Sequence, residues 1–580
     1  MSIKGKSKTI TGDKIAIWIL VISAIALLNY YAVNQSTIHL PIFDNIRYGD
    51  FLFQKWLLPI IAFLVFGYFL IKEKHLSTSV LKQHLLPIFL VSIFLITARF
   101  ISFGHWFYHD DLGIVSYHFY DTSLQGMSCC APGYYSLGLM FLLIRWFGHV
   151  FEAYKAVGLF VHFLVGMIIY VLSNSLQKNK TVSLIVAIFF VTTPTNYYQT
   201  ISALEFMGDS FSLLLFILAV YTLIKGYWSN SVIFAAAAME FGLSRTHFIS
   251  LPLLMVLWFF APRVSRWKPQ WIMSAGAFLI LPFTYLRVFG HVTGPNGTEL
   301  EWNPLFVYAS VLVSVTIPHN IIFPLFKNLR VLTSNSPYIA PFIGILIITI
   351  LFSIFVWFIY KKKSATKILS LGLIILLVSI VFPVLRGSRI TSDFLGLTNQ
   401  FLSGVPALST GYGIFPAFGL VLILISISQN ISFKIFKIAL VPLIIFNTIS
   451  YMKLDSNFAD LYAVSERAVN KQMLQIVPDD GKAKIIYVPD RSKFYIALMR
   501  FIEIFRAKEN ITITSDPKEF MKALDKYKPT KDHLYYLALN ENTFQIHDWS
   551  ERLRAYPPNK LEAGLKLLLE DTNLKFLSAR

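Results

Sequence analysis

Charge is what this sequence lacks most. Only 14% of its 580 residues are Asp, Glu, Lys or Arg, against roughly 25% in soluble globular proteins. A shortage on that scale excludes an ordinary water-soluble surface. Acids are scarcer than bases, which leaves a formal net charge of +19. Nucleic acid is not the natural partner of that excess, because the Lys and Arg residues fall at loops and at the ends of apolar runs, not on aromatic-interleaved strands. Only two cysteines are present, Cys129 and Cys130. Adjacent cysteines rarely pair, two make no disulfide framework, and no metal-ligand spacing surrounds them. There is no Gly-rich phosphate loop, no nucleophile elbow, no low-complexity segment and no visible repeat of about 20–50 residues.

What is abundant is apolar length: 55% of the residues are hydrophobic. A bilayer core about 30 Å thick needs roughly 20 apolar residues per helix. Runs of that kind recur at 14–34, 55–71, 85–104, 152–175, 181–195, 206–225, 230–243, 247–262, 270–288, 339–360, 366–385, 411–428 and 435–450. The pattern predicts a polytopic α-helical membrane protein of about thirteen spans. The first run follows Lys4, Lys6, Lys8 and Lys14, is too long for a signal-peptide core, and is read as a retained span. Two further apolar stretches, 131–148 and 306–326, are expected as helices lying at the outer interface, the second being broken by Pro318 and Pro324.

Basic residues orient the spans. With the N-terminus cytoplasmic, the inner segments carry nineteen Lys and Arg residues and the outer loops before the tail carry seven, as the positive-inside bias requires. Thirteen spans then put the C-terminal tail outside. The expected division is a membrane domain over 1–451, with an outer loop over 105–151, and a soluble domain over 452–580. In the tail, Lys484-Ile-Ile-Tyr-Val488, Ile511-Thr-Ile-Thr514 and His533-Leu-Tyr-Tyr-Leu-Ala-Leu539 read as strands, and 495–506 and 517–527 as helices. That alternation predicts a small α/β domain. Nothing in it announces chemistry, so a lid, an acceptor platform or plain structure are its expected roles.

The densest polar stretch outside the tail follows the third span: His105-Trp-Phe-Tyr-His109-Asp110-Asp111, then Tyr117, His118, Tyr120 and Asp121. Adjacent carboxylates repel, so the pair suits a general base, a metal ligand or an Arg partner. A solvated loop or a helix N-cap accounts for it as well. Two carboxylates are too few for a tight metal site, although Mg or Mn is compatible with them. His109 is a second candidate base. Ionisable groups near span ends are costly and usually functional, which singles out Arg99, Asp209, Glu240 and Arg245, with Arg386 and Arg389 in the last outer loop. Arginine can fork onto phosphate oxygens; snorkelling or a helix–helix ion pair is the alternative for each.

After the acidic pair comes Ala131-Pro132-Gly133-Tyr134-Tyr135-Ser136-Leu137-Gly138, then the interfacial stretch ending at Trp146-Phe147-Gly148. Glu205-Phe-Met-Gly-Asp209 and Gly242-Leu-Ser-Arg245-Thr246 follow in order. This succession resembles the GT-C superfamily of membrane glycosyltransferases, nearest to the dolichyl-phosphate-mannose protein mannosyltransferase and aminoarabinose transferase group. In that group an Asp-Asp or Asp-Glu pair stands in the first large outer loop, and a Pro-x-x-Tyr-Tyr-like start opens an interfacial helix. The resemblance covers roughly residues 85–290. Two additional spans precede its catalytic loop here, the pair is Asp-Asp, and the Gly-Leu-x-x-Thr-like turn carries Ser-Arg-Thr-His.

The resemblance implies transfer of a sugar from a polyprenyl-phosphate carrier to a hydroxyl of a glycan, lipid or protein on the outer face, with inversion. It assigns Asp110 as base, and Asp111 as its orienting partner, a metal ligand or an alternative base. His109, Tyr134, Tyr135, Asp209, Arg245, Arg386 and Arg389 are the expected substrate-binding residues. The expected setting is a bacterial inner membrane, with the tail periplasmic. Two rivals stand beside this reading. One is a transporter or flippase of lipid-linked sugars. The other is a polysaccharide polymerase or ligase using lipid-diphosphate donors, which Arg386, Arg389 and 404–413 would serve.

Overall fold

The structure, a computed structural model, describes residues 78–101, 151–194, 207–224, 339–360, 365–385, 413–458, 464–489, 510–540 and 545–577, with a few single helical positions between them. The expected spans at 14–34, 55–71, 247–262 and 270–288 lie outside these residues. So does the tail helix at 495–506, and so do the interfacial stretches at 131–148 and 306–326 apart from Leu143, Phe147 and Leu312. The chain divides into two compact units; the main break falls between Asp455 and Ser456, and the second unit also takes in Ile101–Cys129 and Leu143–Phe151.

The first unit is helical. Its described helices are α1 (Thr78–Arg99), α2 (Phe151–Gln177), α3 (Lys180–Thr192), α4 (Met207–Ile224), α5 (Ile339–Tyr360), α6 (Thr366–Leu385), α7 (Ile414–Ser428) and α8 (Phe433–Phe458). Among the described residues, two helices are long and apolar enough to cross a membrane, Phe151–Gln177 and Phe433–Lys453. Long apolar helices need polar groups satisfied from within, and the hydroxyls do this locally. Thr192 donates to the Ile188 carbonyl at 2.9 Å, Thr222 to Leu218 at 2.8 Å and Thr349 to Ile345 at 2.9 Å, the back-bonding that lets Ser and Thr sit in apolar helices. Helices α2 and α3 are joined by a short turn. Lys178 adopts the left-handed conformation at φ 56°, and the Asn179 side chain caps α3 by accepting from the Thr181 and Val182 amides at 3.1 and 3.2 Å.

Helices α6 and α7 pack closest. A Cβ on Gly419 would lie 2.7 Å from the Leu376 nitrogen, and one on Gly372 would lie 2.9 Å from the Gly419 carbonyl, so both positions need glycine for the backbones to meet. Phe216 of α4 meets Phe415 and Phe418 of α7 edge-on at 5.8 and 6.0 Å. One end of the bundle is tied by Gln177 of α2, which donates to Ile425 O at 3.1 Å and to Ser428 Oγ at 2.6 Å. There Ser426 also donates to Ala365 O at 2.9 Å.

The outer faces of these helices are apolar. On α1, Leu85, Phe89, Ile93 and Ile96 are exposed at helical spacing, and on α8 Ile435, Ile438, Val441, Ile445 and Ile449 form a like stripe. Apolar stripes of this size are what helices present to a bilayer or to another protein surface.

The tail is α/β. Its strands β1 (Lys484–Tyr487), β2 (Ile511–Thr514), β3 (Leu534–Asn540) and β4 (Gln545–Asp548) lie in the order β2-β1-β3-β4. The first three are parallel and β4 is antiparallel to β3. Strand period two sends alternate residues to opposite faces. Ile485, Tyr487, Leu534 and Tyr536 pack with Phe520 and Leu553 on one face. Ile486, Val488, Tyr535 and Leu537 pack with Val469 and Met473 on the other. The helices are α9 (Val464–Ile476), α10 (Pro517–Tyr527), α11 (Ser550–Arg554) and α12 (Leu561–Leu577). The expected strands and the helix at 517–527 are present; α9, α11, α12 and β4 are additions that sequence reading missed.

Candidate functional site

Of the residues expected to form the site, Asp209 is the one the structure describes. Asp110, Asp111, His109, Tyr134, Tyr135, Arg245, Arg386 and Arg389 lie outside the described residues. Asp209 stands in the first turn of α4 and is buried, where the helix dipole favours a carboxylate.

The described helices bring together a buried polar cluster instead. Arg99, the last residue of α1, is fully buried. Its Nη1 donates to the carbonyl of Val191, one of the last carbonyls of α3, which have no partner inside their own helix. Its Nη2 donates to His162 Nε2 at 3.1 Å. Arginine has no acceptor, so that ring nitrogen must carry the lone pair. The His162 ring stacks on Phe190 with centroids 5.2 Å apart. The guanidinium also lies 4.4 Å from the ring centroid of Tyr451, within cation–π range. Asp455, one helical turn beyond Tyr451 and on the same face of α8, is fully buried and acts electrostatically on Arg99.

Four helices therefore converge on one cation. Three of them, α1, α3 and α8, contribute residues from their C-terminal parts; in the sequence α1 precedes the loop of Asp110-Asp111 and α8 precedes the tail. Sequence reasoning named Arg99 but missed His162, Tyr451 and Asp455. The signal for the first and last was an ionisable residue within or ending an apolar run.

In the tail, a second network joins the N-terminal ends of β1 and β3. Asp480 accepts from Lys484 Nζ at 2.6 Å and from His533 Nε2 at 2.8 Å, and His533 Nδ1 lies 2.5 Å from Thr530 Oγ1. The Lys484 ammonium, first, and the His533 ring hold the Asp480 carboxyl well below the usual carboxylate range. This network ties two neighbouring strands where they enter the sheet. Among the described residues no group of three or more His, Cys, Asp or Glu is placed to hold a metal ion. No family model matches the chain, and no curated protein matches it.

Proposed function

We propose that the chain is an integral membrane glycosyltransferase of GT-C type that moves a sugar from a polyprenyl-phosphate carrier to an acceptor hydroxyl. The observation that carries this reading is the sealed Arg99 cluster at the end of α1. Burying a cation and an acid in an apolar bundle is costly unless function or architecture requires it, and this one anchors the helix that delivers the chain to Asp110-Asp111. The exposed apolar stripes of α1 and α8 support a bilayer as the surrounding phase. On this reading the Arg99 end of the bundle faces outward, the N-terminus is cytoplasmic, and the membrane is a bacterial inner membrane.

In the proposed step the acceptor oxygen bonds to the anomeric carbon as the bond from that carbon to the phosphate oxygen breaks. The acceptor proton passes to Asp110, and the polyprenyl phosphate leaves with the bonding electrons. Attack opposite the leaving phosphate inverts the centre. Arg245, or Arg386 and Arg389, would offset the charge on the leaving phosphate.

The test is sugar transfer in proteoliposomes supplied with a polyprenyl-phosphate sugar. Loss of a general base costs roughly 10²–10⁴-fold, so Asp110→Asn should lower turnover on that scale while the protein still folds. Full activity in both Asp110→Asn and Asp111→Asn would sink the assignment. The buried ionisable residues Arg99, His162, Asp209 and Asp455 also favour a second reading, a flippase of lipid-linked sugars, since transporters keep such groups inside their bundles. A flippase would move the labelled lipid between leaflets without consuming it.

A further inference from the structure

We propose that one end of the helical unit, where α2 and α7 finish, is a docking surface for the anionic headgroups of phospholipids in the adjoining leaflet. The inference rests on the proposed membrane setting and not on the transfer chemistry. Five lysines from three turns of the chain stand there: Lys178 and Lys180 where α2 turns into α3, Lys367 at the start of α6, and Lys434 and Lys437 at the start of α8. All five are exposed. Among the described residues none of them pairs with a carboxylate, and the segments 171–192, 365–385 and 413–450 contain no Asp or Glu.

The three turns are drawn together by the last residues of α7. Gln177, next to Lys178, donates to Ile425 O and Ser428 Oγ, and Gln429 donates back to Leu176 O at 3.4 Å. Ser426 donates to Ala365 O, two residues before Lys367. The chain then turns through 429–432 into α8, where the Lys437 ammonium lies 4.5 Å from the Phe433 ring centroid, a cation–π contact that holds it toward that turn. Ile431 and Phe433 are exposed beside these cations. Apolar side chains among lysines suit a surface that lies in the headgroup region. Lys434 and Tyr451, the tyrosine under Arg99, stand at opposite ends of α8. Their separation is roughly 26 Å at about 1.5 Å per residue, near the ~30 Å of a hydrocarbon core. The exposed stripe from Ile435 to Ile449 fills that interval. With the stripe in hydrocarbon, the lysines fall where headgroups begin.

Two plainer accounts cover less. Basic residues at helix C-termini complement the helix dipole, which accounts for Lys178 beyond the end of α2. It does not account for Lys180, Lys367 and Lys434. Those three stand in the first turns of α3, α6 and α8, where a cation opposes the dipole, and no acid shares those turns. The positive-inside bias asks for charge on one side of the membrane, not for its gathering around the end of one helix. Clustered lysines next to an apolar helix are the pattern that attracts anionic lipid. An acidic protein segment would match the charge, but not the apolar stripe that begins at the same turn.

The experiment places the photo-crosslinker p-benzoylphenylalanine at Ile431 of the full-length protein. The protein is held in nanodiscs of equal parts phosphatidylglycerol and phosphatidylcholine, and lipid adducts are read by mass spectrometry. A second crosslinker position, Ile445 in the α8 stripe, reports on hydrocarbon. The expected result at Ile431 is an excess of phosphatidylglycerol adducts of about threefold or more. It should fall to near parity in high salt and in the variant Lys178→Asn, Lys180→Gln, Lys367→Gln, Lys434→Gln, Lys437→Gln. All five side chains are exposed, and Asn tolerates the left-handed conformation of Lys178, so this variant keeps its fold, which circular dichroism checks. At Ile445 the two lipids should react alike. Parity at Ile431 in the wild type, or an excess unchanged by salt and by the variant, would overturn the docking surface, while lipid adducts at Ile445 would leave the membrane setting standing. Loss of lipid adducts at Ile445 would overturn that setting itself. In native membranes, protein adducts at Ile431 in place of lipid would overturn the lipid in favour of an acidic protein partner.

Discussion

Arg99 in the helical unit and Lys484 in the tail are both fully buried, yet their surroundings differ. Lys484 opens β1, an inner strand, at the N-terminal margin of the sheet and donates to Asp480, whose side chain keeps 31% of its exposure, and to the Lys482 carbonyl at 3.1 Å. Water still reaches the carboxylate, so the pair is only partly desolvated. Arg99 gives its protons to a helix-end carbonyl and an imidazole and rests on a tyrosine ring, with a fully buried aspartate in electrostatic reach. Arg99, His162, Tyr451 and Asp455 are all fully buried. A cation in a sealed site depends on every partner, whereas one at a wet margin can exchange a partner for solvent.

Removing the cation tests that difference most severely. Arg99→Met should destabilise the helical unit by about 3–5 kcal/mol, the range for breaking a buried charge set by deleting one partner. Thermal unfolding in neutral micelles, followed by helical circular dichroism, measures it. Adding Asp455→Asn should recover part of the loss, since the stranded acid is then neutral. Lys484→Met should cost clearly less, read as hydrogen exchange in β1 and β3. Equal losses at the two sites would break the comparison.

Glycine contacts extend the contrast to packing. Gly419 meets backbone of α6, which cannot move without parting the two helices, while Gly564 meets the Tyr556 ring, a side chain able to swing. Gly419→Ala should therefore cost about 1–3 kcal/mol by overpacking. Gly564→Ala should cost less, because the gain in helix propensity offsets the displaced ring. Gly158 has nothing within 4 Å of its would-be Cβ, and Gly158→Ala should be neutral or stabilise by up to about 1 kcal/mol. Melting temperatures of the three variants decide the order.

Much of this architecture was legible in the residues. Helices Ile339–Tyr360 and Thr366–Leu385 match the expected runs to the residue because lysines at 361–363 break the apolar pattern sharply. The last helix was expected to stop at 450 and runs to Phe458. Hydropathy falls there because Tyr451, Lys453 and Asp455 are polar, but Tyr451 and Asp455 are buried against Arg99, which hydropathy cannot register. Strand Gln545–Asp548 was missed because it has no apolar alternation; it is an edge strand held by backbone pairing to β3. In the cluster, Arg99 was legible as a charge ending an apolar run. Its partners were not, because the contacts join residues 63 and 92 positions apart, a distance over which local pattern carries no information.

The smallest effect is expected in acid, and it belongs to the tail alone. Asp480 has a folded pKa below its unfolded value of about 4. Between those values the unfolded chain holds more protons than the folded one, so protonation favours unfolding. The contribution of Asp480 is therefore complete above about pH 4 and is lost as pH falls through its folded pKa. Its partial exposure keeps the effect modest, because solvent screens the pair. In hydrogen exchange corrected for intrinsic rates, protection at the N-terminal ends of β1 and β3 should decline below about pH 4 in the wild type. Asp480→Asn should lower that protection at neutral pH and flatten the acid decline, leaving the helices of the first unit unchanged. A decline of the same steepness in the variant would assign the acid response to other carboxylates, and the wet-margin account of Lys484 would lose its support.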